Sequence, residues 1–318
     1  MSAPARSDLA RSLTRKGIDW GSSLGTAISL AATVFILLIL FVILGNVVIN
    51  GLPQLSWRFV STVPKKDFFD KDSAAVLPMI IGTSIRVLVM TVFVIPIGVT
   101  TAIYLTEYAR STSWYTRIIR AAISNLAGVP SIVFGLFGAG FFVHLIGGGI
   151  DDIMGATSPK WGKPALIWAS LTLAVMTLPV VIVATEESLR AITPGLREAS
   201  LALGATKLQT ILRIVLPNAL PGILTGGILA VSRAAGEVAP ILFTGAAYFL
   251  ADLPHSLSDQ FMDLGYHTYI LASQAPNIEK ARPILYGTVF VLLLLTFSLN
   301  AVAIFARARI RRRMRSGH

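Results

Sequence analysis

Three ionisable residues stand inside long apolar runs of this 318-residue chain: Arg86, Arg233 and Glu237. Arg233 and Glu237 are four apart in SRAAGEVAP, one turn apart on one face of a helix. A charge near the centre of a bilayer costs roughly 2.5–3.5 kcal/mol on insertion scales, so it turns toward protein or a water-filled path. The pair has two readings. It is an ion pair that neutralises itself while joining helices, or a gate at which an anion competes with Glu237 for the guanidinium. Arg86 lies about 14 Å from the outer end of its run, and Arg233 about 21 Å from the inner end of its own, at about 1.5 Å per residue. Both depths fall in the outer half of a hydrocarbon core about 30 Å thick. Two arginines against one glutamate leave a positive layer suited to a tetrahedral oxyanion, which guanidinium binds through paired donors. Arg86 has a second reading, in which it snorkels to the outer surface.

Six runs are long enough to carry such residues across a bilayer: 24–49, 77–105, 121–147, 164–185, 219–247 and 284–306. Only a helix satisfies its own backbone in hydrocarbon, so the expected fold class is an all-α polytopic membrane protein with six transmembrane helices. The composition agrees: 54% hydrophobic and 14% charged, where soluble domains average about 25% charged. The run 24–49 is longer than a signal-peptide core of about 7–15 residues, and reads as a retained anchor after the tail 1–20. Of the 27 Lys and Arg residues, 17 fall on one side of the six runs. These include Arg6, Arg11, Arg15 and Lys16 and the basic tail that ends in 308–318; eight, diluted by nine acids, fall on the other. The positive-inside rule then makes both termini cytoplasmic. The net charge of +11 is thus a topological signal rather than a nucleic-acid footprint. The terminal arginines from Arg307 to Arg315 are expected at anionic lipid headgroups.

No enzymatic constellation is visible. Cysteine is absent, and His144, His255, His267 and His318 are scattered. The segment LGATKLQT lacks the spacing of a nucleotide-binding loop and follows no strand. Gly128 and Pro130 in the third run, and Gly222 and Gly226 at GxxxG spacing in the fifth, read as helix-packing positions, with a bend at Pro130. The external segments 50–76 and 248–283 either receive an extracytoplasmic partner or serve as ordinary loops with interfacial aromatics.

Between the fourth and fifth runs lies REASLALGATKLQTILRIVLP. It reads as two short cytoplasmic helices, 196–203 and from Lys207 to a stop at Pro217, hinged at Gly204 in the left-handed conformation. Ile211, Leu212, Val215 and Leu216 give the second helix an apolar face that lipid, the bundle or a soluble partner must cover; a partner is favoured.

Glu198-Ala199-Ser200, Gly204, Ile214 and Leu216-Pro217 resemble the EAA loop of ABC-importer permeases, with Ser200 where the second alanine often lies. With the blocks NLAGVPSIVFGLFG, TEESLRAITPGLREASLALGAT and LTGGILAVSRAAGEVAP, residues 76–310 resemble the A-type permease subunits of phosphate-specific ABC importers. The resemblance implies a type I ABC transporter transmembrane domain over 76–307, in a bacterial cytoplasmic (inner) membrane. It implies a coupling loop at 186–217, in which Arg197, Glu198, Ala199, Ser200, Gly204, Ala205 and Thr206 meet a cytoplasmic ATPase. It further implies a paralogous permease subunit, two ATPase copies that hold ATP and Mg, an extracytoplasmic phosphate-binding protein, and phosphate passage near Arg233 and Glu237. This chain itself is expected to hold no cofactor. Relatives often carry arginine just before TEE, where this chain has Val183-Ala184, which leaves Arg86 as a candidate substitute. The alternatives are an importer of another solute such as sulfate or molybdate, a secondary transporter or channel, and a membrane enzyme.

Overall fold

The computed structural model describes residues 20–65, 69–70, 72–110, 112–250 and 252–315. The basic N-terminal tail, with Arg6, Arg11, Arg15 and Lys16, lies outside the described residues, as do 316–318 at the other end. The chain divides into two compact units, Met1–Asn50 and Gly51–His318. The described part of the first belongs to helix α1 (Trp20–Gly51), which carries no charged residue and is apolar on all sides, as a membrane span should be.

The second unit is helical throughout its membrane spans. After the short α2 (Trp57–Ser61), the long helices are α3 (Leu77–Tyr108), α4 (Trp114–Ala127), α5 (Ser131–Ile153) and α6 (Leu166–Arg190). Then come α7 (Pro194–Ala202), α8 (Lys207–Gly236), α9 (Leu264–Ser273) and α10 (Ile278–Arg315). Among the described residues six helices, α1, α3, α5, α6, α8 and α10, are long and apolar enough to cross a membrane. Helix α6 is the most enclosed of them, because α3, α5 and α8 all pack on it. The α6–α8 contact depends on small residues. A Cβ at Gly222 would stand 2.0 Å from Ser188 Oγ, and one at Gly226 2.7 Å from Ala184 Cβ, so the GxxxG pair lets the two backbones close.

Four boundaries differ from the sequence reading. The third run, expected as one span over 121–147, is two helices broken at residues 128–130. Pro130 has no N–H and disfavours helical geometry at Val129, so the amphipathic α4 ends at Ala127 and the span begins at Ser131. Gly128 belongs to this break, and its nearest neighbour across a virtual Cβ is its own Asn125 carbonyl at 3.4 Å. The fifth run, expected to reach 247, leaves the helix after Gly236. Residues 237–250 and 252–263 instead fold back as turns, with Ala246 to Phe261 the one bridge among the described residues, and cap the outer end of α6. There the amides of Ala165, Leu166 and Ile167 donate to the carbonyls of Thr244, Asp259 and Leu257 at 2.9, 2.8 and 3.0 Å, filling part of the helix's open donor set. Pro217 does not end its helix either. A wide i→i+5 turn at Ile211–Val215 absorbs the missing donor, and α8 continues through it. The sixth run extends as one helix of 38 residues, about 57 Å at about 1.5 Å per residue, so the terminal arginines up to Arg315 ride on a helix rather than a separate tail.

Candidate functional site

Arg86 sits fully buried in α3, where its Nη2 lies 2.9 Å from Asp263 Oδ2, itself fully buried. The same guanidinium donates to the carbonyls of Ala234 at 2.9 Å and Ala235 at 3.4 Å. These carbonyls belong to the last turn of α8, where a helix has no i+4 amide to donate to them. Asp263 caps the opposite kind of end. Its Oδ1 accepts from the amides of Gly265 and Tyr266 at 2.9 and 3.1 Å, closing the start of α9. Thr83, one turn from Arg86, donates its hydroxyl to Asp263 at 2.8 Å and accepts from the Leu264 amide at 3.0 Å. Gly82 makes room for this joint, since a Cβ there would stand 2.1 Å from the Met262 carbonyl oxygen. A helix that breaks inside a membrane must have its freed backbone groups satisfied by protein. Arg86 and Asp263 supply both sets at once.

Both sequence readings of Arg86 are corrected by this geometry. It does not snorkel outward, because its donors turn to α8, and it does not add to a positive layer, because Asp263 neutralises it. Arg233 and Glu237 behave differently. They pair at 3.3 Å, with side chains 43% and 22% exposed, on an open face of the unit. Leu229, one turn earlier on α8, is exposed and lines a cavity of about 470 Å³ between α4, α6 and α8. Val183 and Ala184 lie on the same cavity wall, joined toward the inner side by Arg120, Ser124 and Glu187. Arg120 forms a 2.6 Å ion pair with Glu186 and donates to the Leu105 carbonyl at 2.9 Å, which fastens α4 to α6 and α3. Glu186 also lies 3.4 Å from Arg190.

The inner hairpin is α7, Gly204 and the start of α8. Gly204 has φ of +85°, the left-handed region that suits glycine. Thr206 then opens α8 with a reciprocal cap, accepting from the Gln209 amide while its own amide donates to the Gln209 side chain at 2.9 Å. Arg197 turns inward. It pairs with Glu107 at 2.9 Å and donates to the Leu189 and Ile192 carbonyls at 2.8 and 2.7 Å. Lys207 donates to the Glu107 carbonyl and lies over the Tyr108 ring, 4.8 Å from its centroid. Ser200 meets Thr210 at 2.9 Å across the turn. The hairpin is therefore braced on the inner end of α3.

The apolar face expected on the second helix is partly filled by the bundle itself: Ile211 is buried, and Val215 lies in the core with Ile192 and Ala219. No residue of α7 is buried, and the exposed leucines of the hairpin are Leu196, Leu201, Leu203, Leu208 and Leu212, with Leu203 90% exposed. Glu198, Ala199 and Gly204 are exposed beside them, while Ala205 is half-buried.

Three ion-pair partners escape a reading of the sequence. Asp263 reads there as an external loop acid, although its place before LGYHTYIL is an N-cap signal. Glu107 and Glu186 lie at helix ends near the inner surface, where carboxylates attract little notice; nothing in their spacing announces a partner 90 or 66 residues away.

Comparison with known proteins places this architecture. Residues 94–316 match the model of the family described as binding-protein-dependent transport system inner membrane component. The phosphate transport system permease protein PstA 1 of Mycobacterium tuberculosis (strain ATCC 25618 / H37Rv) is 33% identical over 237 residues, 74% of this chain and 70% of that protein. The probable ABC transporter permease protein YqgI of Bacillus subtilis (strain 168) is 35% identical over 62% of this chain, and the match spans 61% of its length. Among solved structures, a bacterial alginate ABC transporter in complex with an alginate pentasaccharide-bound periplasmic protein aligns with a TM-score of 0.61. It is 15% identical and the alignment covers 93% of this chain and 95% of that one, a likeness of fold. The chain thus belongs to the binding-protein-dependent transport system inner membrane component family, the multi-pass permeases of ABC transporters.

Proposed function

We propose that this chain is the permease subunit of an ATP-driven importer of inorganic phosphate. The observation that carries the reading is the partly exposed Arg233–Glu237 pair, set at the broken end of a membrane helix one turn beyond Leu229, which lines the open cavity. Charges on a membrane helix settle against protein or a water-filled path. A guanidinium there offers a tetrahedral oxyanion two donors at once. The likeness to the mycobacterial phosphate permease supports phosphate as that oxyanion.

In this reading a paralogous permease subunit supplies the facing wall, and phosphate arrives from an extracytoplasmic binding protein. The anion displaces Glu237 from Arg233 and passes toward the cavity. The chain performs no chemistry and holds no cofactor; ATP and Mg belong to two copies of a cytoplasmic ATPase. That subunit covers Leu196, Leu201, Leu203 and Leu208 and contacts Glu198 and Ala199. Gly204, Ala205 and Thr206 shape the hairpin, and Arg197 and Lys207 pass its displacement to α3. Membrane lipid surrounds the remaining faces, and nucleic acid has no part.

The test is uptake of radiolabelled phosphate by cells that lack this chain and any backup system, with sulfate and molybdate as competitors. Loss of uptake restored by the chain, and competed by neither anion, supports the reading. Unchanged high-affinity uptake in its absence refutes it.

A further inference from the structure

We propose that the Arg86–Asp263 joint is a positioning device that holds the end of α8 in place and thereby aims the Arg233 guanidinium. The inference rests on the transport reading above and assigns Arg86 a role distinct from contact with the anion. Arg86 touches Ala234 and Ala235, the two residues that follow Arg233. Its hydrogen bonds go to their backbone, so they fix where the helix stops and where Glu237 turns away. Glu237 leaves the helix in an extended conformation with its amide still bonded to the Ala234 carbonyl at 3.3 Å. The Arg233–Glu237 pair therefore spans the very bond that Arg86 anchors. One carbonyl accepts from both the guanidinium and the Glu237 amide.

The counter-charge comes from the far side of the same fold-back. Asp263 starts α9 at the far end of the fold-back, so Arg86 holds that end by the ion pair and the near end by its bonds to the Ala234 and Ala235 carbonyls. A guanidinium can hold a carboxylate and two carbonyls together because its donors spread in one plane; an ammonium cannot match that geometry. Full enclosure keeps competing anions and water from the joint, so Arg86 acts through backbone position alone.

The experiment uses the complete transporter, permease pair, ATPase and binding protein, in proteoliposomes. Uptake of phosphate, sulfate and molybdate by the wild type is measured first. An error in the cargo appears there, and the variants are then compared on the anion carried. Arg86→Met combined with Asp263→Asn removes the guanidinium without leaving a lone buried charge. The carboxamide oxygen introduced by Asp263→Asn still accepts from the first amides of α9 and keeps its cap. Per assembled complex, Vmax/KM is expected to fall at least tenfold. Arg86→Lys should lie between this variant and the wild type. Thr83→Val, which loosens only the α9 side and leaves the guanidinium on α8, should lose less than threefold. The proposal fails if the double variant stays within twofold of wild type per assembled complex, whatever its abundance. It also fails if Thr83→Val loses as much as the double variant, since the joint would then be a general brace.

Discussion

Arg86 and Arg233 are the same side chain in opposite surroundings. Arg86 is sealed against a carboxylate and two helix-terminal carbonyls, while Arg233 keeps nearly half its surface open. Their substitutions should separate accordingly. An exposed ion pair contributes about 0–1 kcal/mol to stability, so Arg233→Gln is expected to leave the amount of folded permease in membranes unchanged while phosphate uptake drops at least tenfold. Normal uptake by that variant would remove Arg233 from the path. Asp263→Asn by itself has the reverse signature. It strands the Arg86 charge in a closed site, a loss of about 3–5 kcal/mol for buried pairs broken on one side. Thermal unfolding in detergent should show a clearly lowered midpoint, and an unchanged midpoint would contradict the enclosure. At this scale the sequence is informative about charge in lipid and silent about partners. Arg86 stands out by its apolar neighbours, but Asp263 lies far along the chain in a polar segment, and pairing at that separation is set by packing.

The hairpin of α7, Gly204 and the start of α8 is the element whose form was most legible. A short helix and a left-handed glycine are local features, decided within a few residues of chain; the Thr206 cap, equally local, was shown by the structure. Its environment was less so, because which leucines stay open depends on the bundle. Leu203→Asp should abolish co-purification of an ATPase without lowering permease abundance, given that Leu203 is 90% exposed. Retained ATPase would mean that the docking surface lies elsewhere. Helix α9 carries a pH response. Burial pushes the His267 imidazole from its ordinary 6.5 down to about 3. The unfolded chain therefore takes up a proton before the folded one does. The His267 contribution to stability is complete above about pH 6.5 and is lost, at about 1.4 kcal/mol per pH unit, as the pH drops toward about 3. In His267→Gln, unfolding midpoints between about pH 6.5 and 4 should change less than in the wild type; an identical slope would mean that other groups set it.

At the scale of the whole molecule, six spans and an all-α class were legible, because bilayer thickness fixes length and apolarity, whereas several span ends were not. The departures occur where a tertiary contact replaces an intrahelical bond. The backbone groups freed by the early end of α8 find Arg86, and the open donors of α6 find the returning loop. Neither solution is visible in a window of local sequence. In the proposed reading, charge placed by this fold-back would meet an oxyanion while energy would enter at the hairpin from another subunit. The decisive experiment is ATP-dependent accumulation of radiolabelled phosphate in proteoliposomes that contain the complete transporter. Accumulation is expected to require ATP, the binding protein and an intact hairpin, and to disappear in Leu203→Asp. Accumulation that proceeds without ATP, or that is indifferent to the hairpin, would contradict this mechanism.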